Sequence, residues 1–223
     1  MQTSIILVES PSAQRWAPET LNQWTHGFGA ILSVIGAGVM LSTVLPTGDA
    51  WRIAGCAIYV ASLVALYVAS TLSHSFECGP RRDFYRMLDQ VCIFLLVVGT
   101  YTPFGMVHHR ENGWWMLLVA MWLLATMGIV ERVRRGTQGT PFRTFVMLGW
   151  LPIIGFGRIH EVCQGPGLAL VVAGGLSYLG GLWFLCNDVR RPYYHAAWHL
   201  STIAGSTCHF LFLLEYVARV PAA

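Results

Sequence analysis

Charge is missing from long stretches of this chain. Gly27–Gly48, Ile53–Phe76, Gln90–His109, Asn112–Val130, Val162–Asn187 and Pro192–Leu214 contain no Asp, Glu, Lys or Arg. Each is long enough, or nearly so, to cross a hydrocarbon core that needs about 20 apolar residues. A seventh stretch, Thr144–Gly157, has 14 residues, but Arg143 and Arg158 at its ends can snorkel outward and lengthen it. The pattern predicts an all-α integral membrane protein, a single seven-transmembrane helix bundle over residues 1–223. Its expected helices cover residues 24–47, 52–76, 87–108, 113–131, 143–160, 164–187 and 193–217. The composition agrees. Only 11% of the residues are charged, against about 25% in a soluble domain. Seven spans use up most of the chain, so function must reside among the helices. The stretch "MQTSIILVESPSAQ" has no basic leader and too short an apolar run for a cleavable signal, so helix 1 is expected to direct insertion itself.

The six cysteines are scattered singly, which is neither a disulfide framework nor a thiolate metal site; they read mostly as small core residues. All 14 basic residues are arginine. They lie in short loops, and no nucleic-acid partner is expected. Counted by loop, ten (Arg15, Arg81, Arg82, Arg86, Arg132, Arg134, Arg135, Arg143, Arg190, Arg191) share the side of the N-terminus, against four (Arg52, Arg110, Arg158, Arg219) on the other. The positive-inside rule then predicts a cytoplasmic N-terminus and an external C-terminus.

With that orientation, several polar residues fall at one depth. His74 and Ser70 lie four residues apart near the inner end of helix 2, and Asp89 lies near the inner end of helix 3. His195 and His199 open helix 7, about 6 Å apart along its axis. Histidine is costly in lipid and rarely appears there without a partner. Neutral imidazole is the commonest metal ligand, and three protein ligands plus water make a catalytic zinc arrangement. His74, His195 and His199 are the candidate ligands, favoured as neutral by the positive end of helix 7. Asp89 could orient the water and shuttle its proton, and Ser70 could stabilise an oxyanion. Glu19, Asn22 and His26, three and four apart on helix 1, could support the site from behind.

Plainer readings compete. H-x-x-x-H can be a structural pair, or haem can claim the histidines. Ser70 can be satisfied by the carbonyl one turn back, and Asp89 can cap helix 3 or pair with Arg86. Glu19, Asn22 and His26 can be a capped, half-solvated start of helix 1. His209 lies about 15 Å deeper than His199 and reads as an interhelical hydrogen-bond partner. His108, His109 and His160 fall at the opposite face, where contact with water or headgroups is expected. "GGLSYLGG" (174–181) offers small faces for helix packing.

The pieces "ETLNQWTHGFGA" (19–30), "STLSH" (70–74), "LDQVCIFLLVVGTYTPF" (88–104) and "YYHAAWHLSTIAGSTCHF" (193–210) together resemble the hemolysin III family, the bacterial branch of the progestin and adipoQ receptor group. The resemblance implies a zinc ion near the inner leaflet of a bacterial plasma membrane. His74, His195 and His199 would be its ligands, Asp89 would hold or activate the water, and Ser70 would assist. The wider superfamily it points to includes alkaline ceramidases; related members hydrolyse lipid amides, and others act as receptors. Where a histidine is common after the helix-3 aspartate, this chain has Gln90, and where an aromatic often precedes the helix-2 histidine it has Ser73.

Two function classes follow as expectations. One is a zinc-dependent hydrolase of a lipid amide or ester, with a membrane lipid or fatty-acyl substrate and a role in membrane homeostasis. The other is non-enzymatic: a lipid sensor or receptor-like protein with structural zinc, or a cytolytic, pore-forming one. A pore ranks lowest, because the sequence offers no charged pathway across the bilayer.

Overall fold

A computed structural model describes residues 11–110, 113–136 and 141–219. Residues 1–10, most of the stretch considered for a signal, lie outside the described residues. The described chain is helical, and seven helical spans are long and apolar enough to cross a membrane: Pro18–Thr47, Ala50–Ser73, Pro80–His108, Trp115–Arg135, Phe142–Cys163, Gly165–Cys186 and Tyr194–Ala218. Their apolar outer faces carry exposed side chains such as Trp24, Phe28, Ile31, Leu123 and Met127, as expected for helices solvated by lipid.

Helix α1 (Pro11–Val44) starts well before the expected residue 24. Glu19 and Asn22, whose polar contacts are described below, lie on the turns before residue 24. Helix α2 (Ala50–Ser73) is N-capped by Asp49, whose carboxylate accepts from the backbone N–H groups of Trp51 and Arg52 at 3.0 and 3.2 Å. It ends three residues before the expected 76, with His74 as its C-cap. Helix α3 (Pro80–His108) starts seven residues before the expected 87. Gly79, at a φ of 94°, makes the turn, and Pro80 opens the helix with its φ pre-set. Asp89 therefore sits inside α3 and does not cap it. Helix α4 (Trp115–Arg135) follows.

The short seventh stretch becomes a full span through a change of helix type. Helix α5 (Phe142–Trp150) passes into a 3₁₀ segment, Leu151–Gly155, at Pro152. It continues as α6 (Phe156–Cys186), in which Gly165, at a φ of 47°, divides the fifth span from the sixth. The extra length lies beyond Arg158, which pairs with Glu161 at 3.0 Å. Helix α7 (Tyr194–Leu213) runs on into a π-helical turn, Leu214–Ala218.

The main packing partners are α2 with α3, α6 with α7 and α1 with α2. Small residues permit the close approaches. A Cβ on Gly174 would come within 2.5 Å of His209, and one on Gly181 within 2.7 Å of Trp198. This is the packing expected of "GGLSYLGG", for two of its four glycines; Gly175 and Gly180 face open space. The buried apolar core gathers residues of α1, α2, α3, α4 and the end of α7, with Tyr59, Phe94, Phe104, Met121 and Leu213 among the most enclosed. Among the described residues the six cysteines are free; Cys56, Cys92 and Cys163 are buried, whereas Cys78 and Cys186 are exposed.

Candidate metal centre

Three imidazoles meet where α2 ends and α7 begins. His74 and His195 have ring centroids 5.1 Å apart, His74 and His199 5.1 Å, and His195 and His199 4.7 Å. One ligand atom from each lies within 4.8 Å of the other two, so the three could hold a metal ion. His74 reaches the point because the helix stops beneath it. His195 and His199 reach it because residues four apart share a helix face. His74 and His199 are buried and His195 half-buried.

The partner of each ring decides which nitrogen is available. His74 Nδ1 meets Glu19 Oε2 at 2.6 Å, and His195 Nδ1 meets Asp188 Oδ2 at 3.0 Å. His199 Nδ1 meets the Asn22 carbonyl at 3.2 Å and Thr25 Oγ1 at 3.0 Å. Carboxylates and carbonyls accept, so each Nδ1 carries the proton and each Nε2 keeps its lone pair. Metal-binding histidines characteristically carry such an outer acceptor, which fixes tautomer and ring orientation. The donor set therefore fits a borderline metal that accepts imidazole nitrogen. Glu19 is itself fixed by Arg82 at 2.7 Å and Arg86 at 3.4 Å. Arg86 is thus drawn to Glu19, and Asp89 accepts instead from Ser73 Oγ at 3.3 Å.

A cavity of about 150 Å³ adjoins the cluster. Ser70, Asp89, His26, His195 and His199 contribute to its polar wall, and Phe142, Phe145 and Leu185 to its apolar one. His26 stacks on His199 with centroids 3.5 Å apart and meets Tyr67 edge-on at 5.1 Å. Gly29 leaves space for Tyr67, since a Cβ there would approach that ring to 2.6 Å. The tyrosine donates to Ser206 Oγ at 3.0 Å. All eight residues singled out from the sequence (Glu19, Asn22, His26, Ser70, His74, Asp89, His195 and His199) thus gather at one end of the bundle. Asp188, Thr25 and Arg82 join them without having been anticipated. Asp188 left one trace, a carboxylate seven residues before His195 in a short connection.

The opposite end corrects an expectation. His109 does not face water or headgroups. It is fully buried, takes Tyr101 OH at Nδ1 and stacks on Trp114 with centroids 5.2 Å apart. Burial, with Arg158 and His108 nearby, pushes its imidazole down to about 4. His108 Nε2 donates to the Tyr216 carbonyl at 3.0 Å, while His160 is exposed as expected. His209 Nε2 donates to the Val171 carbonyl of α6 at 3.3 Å, the interhelical bond anticipated for it.

The sequence is 35% identical to Hemolysin-3 of Bacillus cereus over 203 residues, covering 89% of this chain and 91% of that protein. It is 33% identical to the Hemolysin-3 homolog of Bacillus subtilis (strain 168) over 206 residues, covering 91% and 96%. A more distant likeness, 24% over 230 residues, covers 95% of this chain and 91% of the human Monocyte to macrophage differentiation factor. A sequence model of haemolysin-III related proteins matches residues 14–210. This multi-pass membrane protein belongs to the haemolysin-III related family.

Proposed function

We propose that the chain is a zinc-dependent hydrolase that cleaves an amide or ester of a membrane lipid near the inner leaflet, with a role in membrane homeostasis. One observation carries the reading: three imidazoles, each tied at Nδ1 by an outer acceptor, converge beside Asp89 and Ser70 at a cavity with one apolar wall. Structural stapling alone does not call for a carboxylate and a hydroxyl facing the same space.

His74, His195 and His199 would hold the ion through Nε2. Zinc, when bound, would bring the pKa of its water to about 7 and polarise an acyl carbonyl. Asp89 takes the proton of the attacking water and returns it to the leaving amine or alcohol. A carbon–oxygen bond forms to the water oxygen as the carbon–nitrogen or carbon–oxygen bond to the leaving group breaks. Ser70 donates to the acyl oxygen as it gains charge. Phe142, Phe145 and Leu185 give an acyl chain an apolar surface outside the polar wall.

The test is product release from a panel of ceramides, N-acyl amines and acyl esters by zinc-loaded protein in lipid nanodiscs. Wild type should turn over at least one class. Asp89→Asn should lose about 10²–10⁴-fold of that rate, the size of a general acid–base contribution, while binding as much zinc. No cleavage anywhere on the panel would sink the enzymatic reading. A second reading, membrane lysis, draws on the names of the two Bacillus relatives. Dye release from liposomes that persists in Asp89→Asn would favour it.

A further inference from the structure

Gln90 follows Asp89 on α3 and lines the same cavity as Ser70, His195 and His199. Its side-chain oxygen is already committed. Arg132 of α4, 4% exposed, donates from Nε to Gln90 Oε1 and from a terminal nitrogen to the Gly136 carbonyl. A guanidinium has donors only. Of the two orientations open to a carboxamide, the arginine therefore selects the one with oxygen toward itself, and the NH₂ turns elsewhere. That NH₂ is the hydrogen-bonding group Gln90 has left to offer the cavity. The cation at the oxygen also polarises the amide and strengthens its N–H donors.

We propose that Gln90, oriented by Arg132, donates its side-chain N–H to the acyl carbonyl oxygen of a lipid seated in this cavity. Gln90 is then a substrate-holding residue and Arg132 a positioning residue. The class of ligand rests on the hydrolytic reading; the orientation of Gln90 rests on Arg132 alone. Together they favour chains that carry a carbonyl oxygen over alkyl chains that carry none. A carboxylate at position 90 would keep the contact with Arg132 and present an acceptor where a donor is needed.

The experiment uses full-length, zinc-loaded protein in phosphatidylcholine nanodiscs, with dodecanamide labelled with ¹³C at its carbonyl as the probe. Its dissociation constant and carbonyl stretching frequency are measured with wild type, Gln90→Glu, Gln90→Met and Arg132→Met, alongside bound zinc and melting temperature. Wild type should bind the amide and shift its carbonyl to lower frequency. Both Gln90 variants should bind several-fold to about tenfold more weakly, the loss expected for one neutral hydrogen bond, and leave the carbonyl unshifted. Arg132→Met should weaken binding several-fold with a partial shift. Should Arg132→Met fail to fold, the two Gln90 variants decide the matter. Equal affinity and equal frequency in wild type and both Gln90 variants would overturn the proposal, as would failure of wild type to bind the amide. Product release from the lipid panel decides the hydrolytic reading separately, since turnover can persist while the Gln90 variants bind as wild type does.

Discussion

Both ends of this bundle bury histidines, yet only one end gathers them. At the end where α2 stops and α7 starts, three rings turn their Nδ1 atoms to Glu19, Asp188 and the Asn22 carbonyl, and one ligand atom from each ring lies within 4.8 Å of the other two. At the other end, His108 spends a ring nitrogen on the Tyr216 carbonyl, and His109 meets Tyr101 and Trp114. These two rings both pack against Phe104 and fasten neighbouring segments. Direction separates a ligand cluster from a pair of structural histidines, and an acceptor behind each ring sets the direction.

The sharpest way to break this contrast is to remove one ring at each end. His199→Ala should bring bound metal, measured by elemental analysis of purified protein, from near one ion per chain to less than a tenth. His108→Ala should leave the metal content unchanged. Equal loss in both, or in neither, would erase the difference between the ends.

A smaller effect is expected from the outer acceptors. Glu19→Gln and Asp188→Asn should each weaken metal binding about 10–100-fold, the usual result of losing a hydrogen-bond partner behind a ligand. Competition with a chelator of known affinity would measure it. The asparagine or glutamine oxygen can still accept, so the loss should be partial. Affinity unchanged in both variants would mean the outer partners are incidental.

The smallest effect concerns pH at the other end. His109 is buried and titrates near 4, against 6.5 for a free imidazole. Protonation is thus harder in the folded state than in the unfolded one. The stability its neutral form contributes is fully present above about pH 6.5 and is lost progressively as the pH falls toward 4. Metal-free wild type should therefore lose more melting temperature across that interval than His109→Asn does. Parallel pH profiles for the two proteins would assign the acid sensitivity elsewhere.

How much of this was readable in the chain depends on the range of the interaction. Spans follow from runs of uncharged residues, a local property, and six of the seven were plain. The fifth had an uncharged stretch of only 14 residues and was expected over 143–160; the helix carries Arg158, paired with Glu161, and continues three residues further to Cys163. The early starts of α1 and α3 were hidden because polar turns outside the hydrocarbon leave no hydropathy signal. Of the site, the residues on regular helical spacing were legible: Ser70 with His74, His195 with His199, and Glu19 with Asn22 and His26. Asp188 was not, because a loop has no period to betray which way a side chain turns. Nor could spacing reveal that Arg86 reaches Glu19 while Asp89 takes Ser73, since three separate segments meet there. His109 was placed on the wrong side of the packing because position at a helix end says nothing about what the next segment lays over it.

The division of the imidazoles between the second and the last span has a consequence for biogenesis. An ion bound there would join the end of the second span to the start of the seventh, so it could be captured only after the seventh helix had threaded and docked. Metal loading would then report that the seventh span has inserted, and a product truncated before residue 194 would lack two of the three rings needed to retain it.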